Sequence, residues 1–132
     1  FVDSDGTLLD YEIEAWDDGA KTASIWVKVQ QLDQASNTDF IHLYYNNAAA
    51  SDGQNAAGVW DVNHVGVWHM DESSDGTLDD YQDSTSNAND GQGGDGVAGD
   101  TPTQIAGRIG KSREIKVSKF ILTCASTKIA IV

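Results

Sequence analysis

The sequence predicts an all-β protein: an antiparallel β-sandwich of jelly-roll type with a long Asp/Asn/Gly-rich loop and an incomplete second sandwich. Three observations lead there. Short β-branched and aromatic runs are separated by turn residues. No long segment repeats apolar residues at helical spacing. Glycine is frequent at 13 residues while proline occurs once, and Gly, Asn, Asp and Ser crowd residues 71–100. At 132 residues the chain is long enough for one ordinary domain that buries a core without covalent staples.

Each element can be justified in order. Thr7–Trp16 reads as a strand, because Leu9, Tyr11, Ile13 and Ala15 recur at every second position, with acids on the other face. Asp17-Asp-Gly19 is a hairpin turn, with Gly19 expected to supply the positive φ that other residues resist. Ser24–Val29 and Asp39–Tyr45 are β-branched and aromatic runs of strand length, the second ended by Asn46-Asn47. Ala48–Gly58 is small and polar, suited to a loop or a single helical turn. Val65–His69 is the next strand. Apolar side chains are scarce from Ser73 to Thr103, so that stretch is loop or short edge structure. A boundary near Asp61–His64 separates a partial sandwich module, 1–62, from the opening of a second sandwich, 63–113. A basic, apolar tail follows at 114–132. Gly58-Val-Trp60 and Gly66-Val-Trp68 echo one another without making a repeat.

Charge is divided along the chain. Residues 1–107 hold twenty acidic groups against two lysines, a net −18; residues 108–132 hold six basic groups against Glu114, a net +5. The acidic part repels nucleic acid and anionic membrane. No apolar run is long enough to insert in a bilayer. Cys124 is the single cysteine, which rules out an internal disulfide. No initiating Met or leader is visible, and Phe1-Val2 runs at once into a turn, as inside a domain.

The segments Phe1-Val-Asp-Ser-Asp-Gly-Thr-Leu-Leu-Asp-Tyr-Glu-Ile-Glu-Ala-Trp16, Ile25-Trp-Val-Lys-Val29, Ile41-His-Leu-Tyr-Tyr-Asn-Asn47 and Val59-Trp-Asp61 follow one another in order. Over about residues 1–62 the chain resembles the bacterial domain of unknown function 2341. That family is a β-sandwich module of large secreted or envelope proteins, some fused to proton channels of the biopolymer-transport type. Asn46 stands where the family has glycine, a mild departure because Asn tolerates the left-handed conformation. Val65–Glu72, Asp83–Gly91 and Gly107-Arg-Ile-Gly-Lys111 then resemble the start of a laminin-G-like, concanavalin A-like lectin domain. Arg113-Glu-Ile-Lys-Val-Ser-Lys119 departs from that pattern where the charge reverses, so the tail from about 114 is expected not to continue the domain.

Asp71, Asp75, Asp79, Asp80, Asp83, Asn87 and Asp90 crowd one loop region. Calcium takes six to eight oxygen ligands, and it is the cofactor such a loop would hold. The plainer reading is a solvated loop whose Asp and Asn side chains cap its own turns. Asp3–Glu12 also fits part of a calcium loop, although a turn at Asp5-Gly6 followed by a strand explains it as well. Trp16 and Tyr81, beside polar turns, are the candidates for stacking on a sugar; Trp26 and Trp68, inside β-runs, are core anchors. His42, His64 and His69 lack zinc spacing, and the adjacent Asp71 and Glu72 are poorly placed to flank one glycosidic bond. The residues alone imply surface exposure and binding potential; the resemblance implies a non-catalytic binding or adhesion module. The resemblance implies polysaccharide or glycan as partner, other domains of the same polypeptide as neighbours, and an extracellular or envelope location. A ligand-free envelope spacer and the accessory region of a polysaccharide-degrading enzyme are the alternatives.

Overall fold

The computed structural model describes residues 1–73 and 75–114 and, as backbone, Thr123 and Cys124. The fold is β-rich, with four two-stranded antiparallel sheets, one four-residue α-helix and two three-residue 3-10 turns, Gly94–Gly96 and Ala98–Asp100, among the described residues. Two compact units divide the chain, Phe1–Val59 and Trp60–Val132.

The first unit is built on the hairpin of β2 (Tyr11–Asp17) and β3 (Thr22–Val27). Its register sets Tyr11 opposite Val27 and Ile13 opposite Ile25 on one face, with Glu12 opposite Trp26 on the other. The ladder slips between Ile13 and Ala15, leaving Glu14 as the extra residue of a bulge. Glu14 Oε2 accepts the Trp26 indole N–H at 2.9 Å. The connecting turn covers Asp18–Lys21, and the positive φ falls on Lys21 (56°), not on Gly19 as expected. Asp17 Oδ1 sets that corner by accepting the Ala20 N–H at 2.9 Å.

Two smaller pieces complete this unit. β1 (Val2–Asp3) pairs with β4 (Ile41–His42), which is all of the Asp39–Tyr45 run that forms a ladder. Gly6, at φ 90°, turns the chain so that the Asp3 N–H reaches the Thr7 carbonyl at 2.8 Å. Asp3–Glu12 is therefore a turn leading to a strand. Leu9 is buried here, its N–H donating to the Phe1 carbonyl, while the rings of Phe1 and Tyr11 sit 5.3 Å apart. The single turn α1 (Ala56–Val59) is tied to the hairpin by three bonds: Asn55 N–H to the Tyr11 carbonyl, Asn55 Nδ2 to Asp10 Oδ1, and Lys28 Nζ to the Gly58 carbonyl.

In the second unit β5 (Gly91–Gln92) pairs with β8 (Thr123–Cys124), and β6 (Thr103–Ala106) with β7 (Lys111–Glu114). Gly110, at φ 60°, closes the β6–β7 hairpin by accepting the Gly107 N–H at 3.2 Å. Val65–His69, expected as a strand, joins no ladder. Apart from Glu114 and the β8 backbone, the tail set apart at 114–132 lies outside the described residues.

Leu9 and its exposed neighbour Leu8 give a paired test of where the first unit is held together. Leu9→Ala should lower stability by about 2–5 kcal/mol, the range for emptying a buried leucine site. Leu8→Ala should change it by about 0.5 kcal/mol or less. Urea unfolding followed by tryptophan fluorescence measures both.

Candidate functional site

The Asp/Asn-rich segment folds around one carboxylate. Asp83 Oδ1 accepts the N–H groups of Val67 (2.9 Å) and Thr85 (3.0 Å), while Oδ2 accepts the Thr85 hydroxyl and the Asn89 N–H, both at 2.9 Å. The Asp83 N–H in turn donates to Asp90 Oδ1 at 2.7 Å. Asn87 Nδ2 donates to the carbonyls of His64 and Val65, and Asn89 Nδ2 to that of Val65. Side chains from 83–90 thus bond the His64 and Val65 carbonyls and the Val67 N–H, while the Val67 carbonyl accepts the backbone N–H of Ser84 at 2.9 Å. Trp68 belongs to the same knot: its indole N–H donates to the Asn89 carbonyl at 3.1 Å, and its ring lies where a Cβ on Gly66 would sit.

The remaining acids of the predicted metal set are engaged separately or exposed. Asp75 Oδ1 accepts the Thr77 N–H at 3.0 Å, and Asp80 Oδ2 the Gly76 N–H at 3.1 Å. Asp71 and Asp79 are exposed, Asp79 with a left-handed φ of 59°. The structure gathers Asp83, Asn87 and Asp90 in one knot, places Asp75 and Asp80 about a second turn, and leaves Asp71 and Asp79 in neither. Among the described residues no three His, Cys, Asp or Glu side chains converge as ligands for a metal ion. Asp83, the carboxylate with the most of these contacts, accepts three backbone N–H groups and the Thr85 hydroxyl.

Tyr81 corrects the expectation that it is exposed. It is 1% accessible, its N–H and carbonyl both bonded to Gly91 and its ring covered by the Arg113 guanidinium at 5.1 Å. Arg113 also donates to the carbonyls of Pro102 and Glu72. A ring enclosed in this way cannot stack on a ligand. Trp16, in contrast, is 58% accessible near the end of β2.

A group of rings that sequence reading assigned to a strand lies open on the first unit. Phe40 and Tyr44 are 54% and 73% accessible, and His42 stands between them with ring centroids 5.0 and 6.1 Å away. The three rings alternate with Ile41 and Leu43 along the chain, although only Ile41 and His42 belong to β4. That alternation was the available signal. Its exposure could not be read, because the spacing is the same whether or not another layer covers it.

Burial alone would raise the Asp83 carboxyl, but the N–H groups of Val67, Thr85 and Asn89 and the Thr85 hydroxyl outweigh it and leave it below the ordinary aspartate range. Its folded pKa lies under its unfolded one. Its stabilising effect is therefore complete above the unfolded value of about 3.9 and is lost as pH falls through the lowered folded value. Asp83→Ala should cost about 1–3 kcal/mol at neutral pH, because it strips acceptors from partly buried donors. The gap between variant and parent should narrow in acid below about pH 3.9. Thermal melts at graded pH check both; a gap unchanged in strong acid contradicts the assignment.

No curated protein and no solved structure matches the chain. Residues 1–88 match the family described as Domain of unknown function (DUF2341), a span that includes the β2–β3 hairpin, the row of rings and Asp83 itself. With two thirds of its length matched, the chain belongs to the DUF2341 family.

Proposed function

We propose that the chain is a non-catalytic binding or adhesion module directed at carbohydrate, carried on the cell envelope or outside the cell by a larger bacterial polypeptide. In this reading its short sheets belong to a sandwich, and its second unit opens a lectin-like domain of laminin-G type. The observation that carries the proposal is the row Phe40–His42–Tyr44, together with Trp16, as accessible rings on a strongly acidic surface. Aromatic area left in water forgoes the stabilisation that burial brings, roughly 25 cal/mol per Å². Contiguous exposed apolar area of this kind marks interaction sites. Flat rings suit the C–H faces of sugars, which offer apolar surface between their hydroxyls. The acidic surroundings weigh against nucleic acid and anionic lipid as alternatives.

The reading predicts retention of the fluorescently tagged chain by at least one class of glycan on an array. Trp16→Ala and Tyr44→Ala should each weaken that retention, about tenfold for a lost stacking contact of about 1.4 kcal/mol. Their melting temperatures should hardly change, since both rings are exposed. A chain that no glycan retains is a spacer; one that shortens a polysaccharide is part of an enzyme. Either result overturns the proposal.

A further inference from the structure

The β2–β3 hairpin has one closed edge and one open edge. In an antiparallel pair, successive residues turn their backbone N–H and carbonyl groups alternately toward and away from the neighbouring strand. The Lys28 N–H donates to the Asp10 carbonyl at 3.0 Å, and the register carries that bonded pairing on to Glu12 and Trp26. Tyr11 and Ile13 therefore point their backbone groups outward on the β2 side, where loop residues meet them. The Asn55 N–H donates to the Tyr11 carbonyl at 3.0 Å, and Gln54 Oε1 accepts the Ile13 N–H at 2.6 Å. On the β3 side the outward groups belong to Ala23, Ile25 and Val27, which stand opposite Trp16, Ile13 and Tyr11. β3 is the last strand of its sheet, and among the described residues none of these three has a hydrogen bond beyond the hairpin. The open edge also lacks charge: Thr22–Val27 contains no acidic or basic residue, while β2 carries Glu12, Glu14 and Asp17. Proteins ordinarily blunt such an edge with a lysine, a proline or a cover. β2 is covered; β3 has none of these.

We infer that β3 is the interface of a symmetric dimer, in which β3 of a second copy of this chain lies antiparallel beside it. The spacing of the outward groups is self-complementary. Placing Ile25 opposite the second copy's Ile25 sets Ala23 opposite Val27 and Val27 opposite Ala23, so each facing pair exchanges both of its N–H···O bonds. The two hairpins then form one four-stranded sheet with the β3 strands at its centre. One face of that sheet carries Tyr11, Ile13, Ala23, Ile25 and Val27 from each copy. In a single copy Ile25 and Val27 are half-buried and Ile13 is 36% accessible, so the pairing covers apolar side chains as well as backbone. Charge favours this strand for the contact. With a net charge of −13, two copies repel wherever their acidic surfaces meet, and pairing through the uncharged β3 keeps both β2 strands on the outside. Because Gln54 and Asn55 close the β2 edge, the pairing stops at two copies instead of running on into a fibre.

Sedimentation of the full chain over a dilution series tests this. The average mass should rise about twofold from dilute to concentrated solution, toward that of two copies. Ile25→Pro removes only an outward N–H, a placement that edge strands tolerate, and should weaken self-association about tenfold or more. Ile25→Glu and Ile25→Lys should each stay at the mass of one copy, since like charges would meet on the symmetry axis. Their equimolar mixture should recover the dimer. Tryptophan fluorescence shows whether each variant keeps the fold of the parent. Amide exchange at Ala23, Ile25 and Val27 of the parent should slow as it is concentrated, a readout that needs no variant. A parent at the mass of one copy at every concentration overturns the inference. So does self-association that Ile25→Pro or the single charge variants leave unchanged, or a mixture of folded charge variants that does not pair. Exchange at the three amides that ignores concentration overturns it as well. None of these outcomes depends on the carbohydrate reading.

Discussion

Backbone N–H groups need acceptors, and at several places among the described residues side-chain oxygens supply them instead of strand ladders. Among the described residues its sheets are two strands wide, and long stretches there join no ladder. Asp83 is the fullest case, with four donors on one carboxylate. The pattern repeats at smaller scale where Asp5 takes the Thr7 N–H, Asp61 the Asn63 N–H, Asp75 the Thr77 N–H and Gln54 Oε1 the Ile13 N–H. An ionised carboxylate is a strong acceptor for this purpose and offers two oxygens at once. Much of the acidity of the chain thereby has a structural use.

That solution has a cost in packing. Side-chain clamps hold the backbone without bringing apolar faces together, and among the described residues the buried apolar side chains are Leu9 and Tyr81. Phe40, Tyr44, Tyr45 and Trp16 stay accessible. The two buried side chains are secured in different ways. Leu9 follows the Gly6 turn and its N–H is bonded to the Phe1 carbonyl, whereas Tyr81 is pinned by a two-bond bridge to Gly91 and roofed by Arg113. Sparse packing and exposed rings share one origin within the described residues of each unit, because clamps of this kind leave apolar side chains uncovered.

Local rules were legible where they depend on near neighbours. The β2–β3 hairpin followed from alternation in Leu9–Ala15 and from the β-branched run after it, and the single helical turn at Ala56–Val59 fits the small, polar stretch. The turn between those strands was legible too, but not which residue would take the left-handed φ. Lys21 takes it, two positions after Gly19, next to the corner where Asp17 holds the Ala20 N–H. The Gly-Val-Trp echo proves to be two unrelated constraints. Gly58 makes room for the Asp10 and Asn55 side chains, and Gly66 for the Trp68 ring. Val65–His69 has the composition of a strand, yet composition does not supply a partner, and its backbone was claimed by Asp83, Asn87 and Asn89.

By itself the sequence determined the β-rich class, the acidic surface and the supply of Asp, Asn and Gly from which the turns are made. These depend on side-chain periodicity, charge and local backbone preference, all properties of short segments. The motifs over residues 1–62 also pointed to the family, whose match extends to residue 88. Only the tertiary structure decided which aromatic rings are covered and which carboxylates are already engaged. Trp16 and Tyr81 look alike beside their polar turns, but one is open and the other enclosed by Gly91 and Arg113, ten and thirty-two positions further along. Burial depends on what the rest of the chain brings to a residue, and that is a property of the folded chain and not of the residue's own neighbourhood.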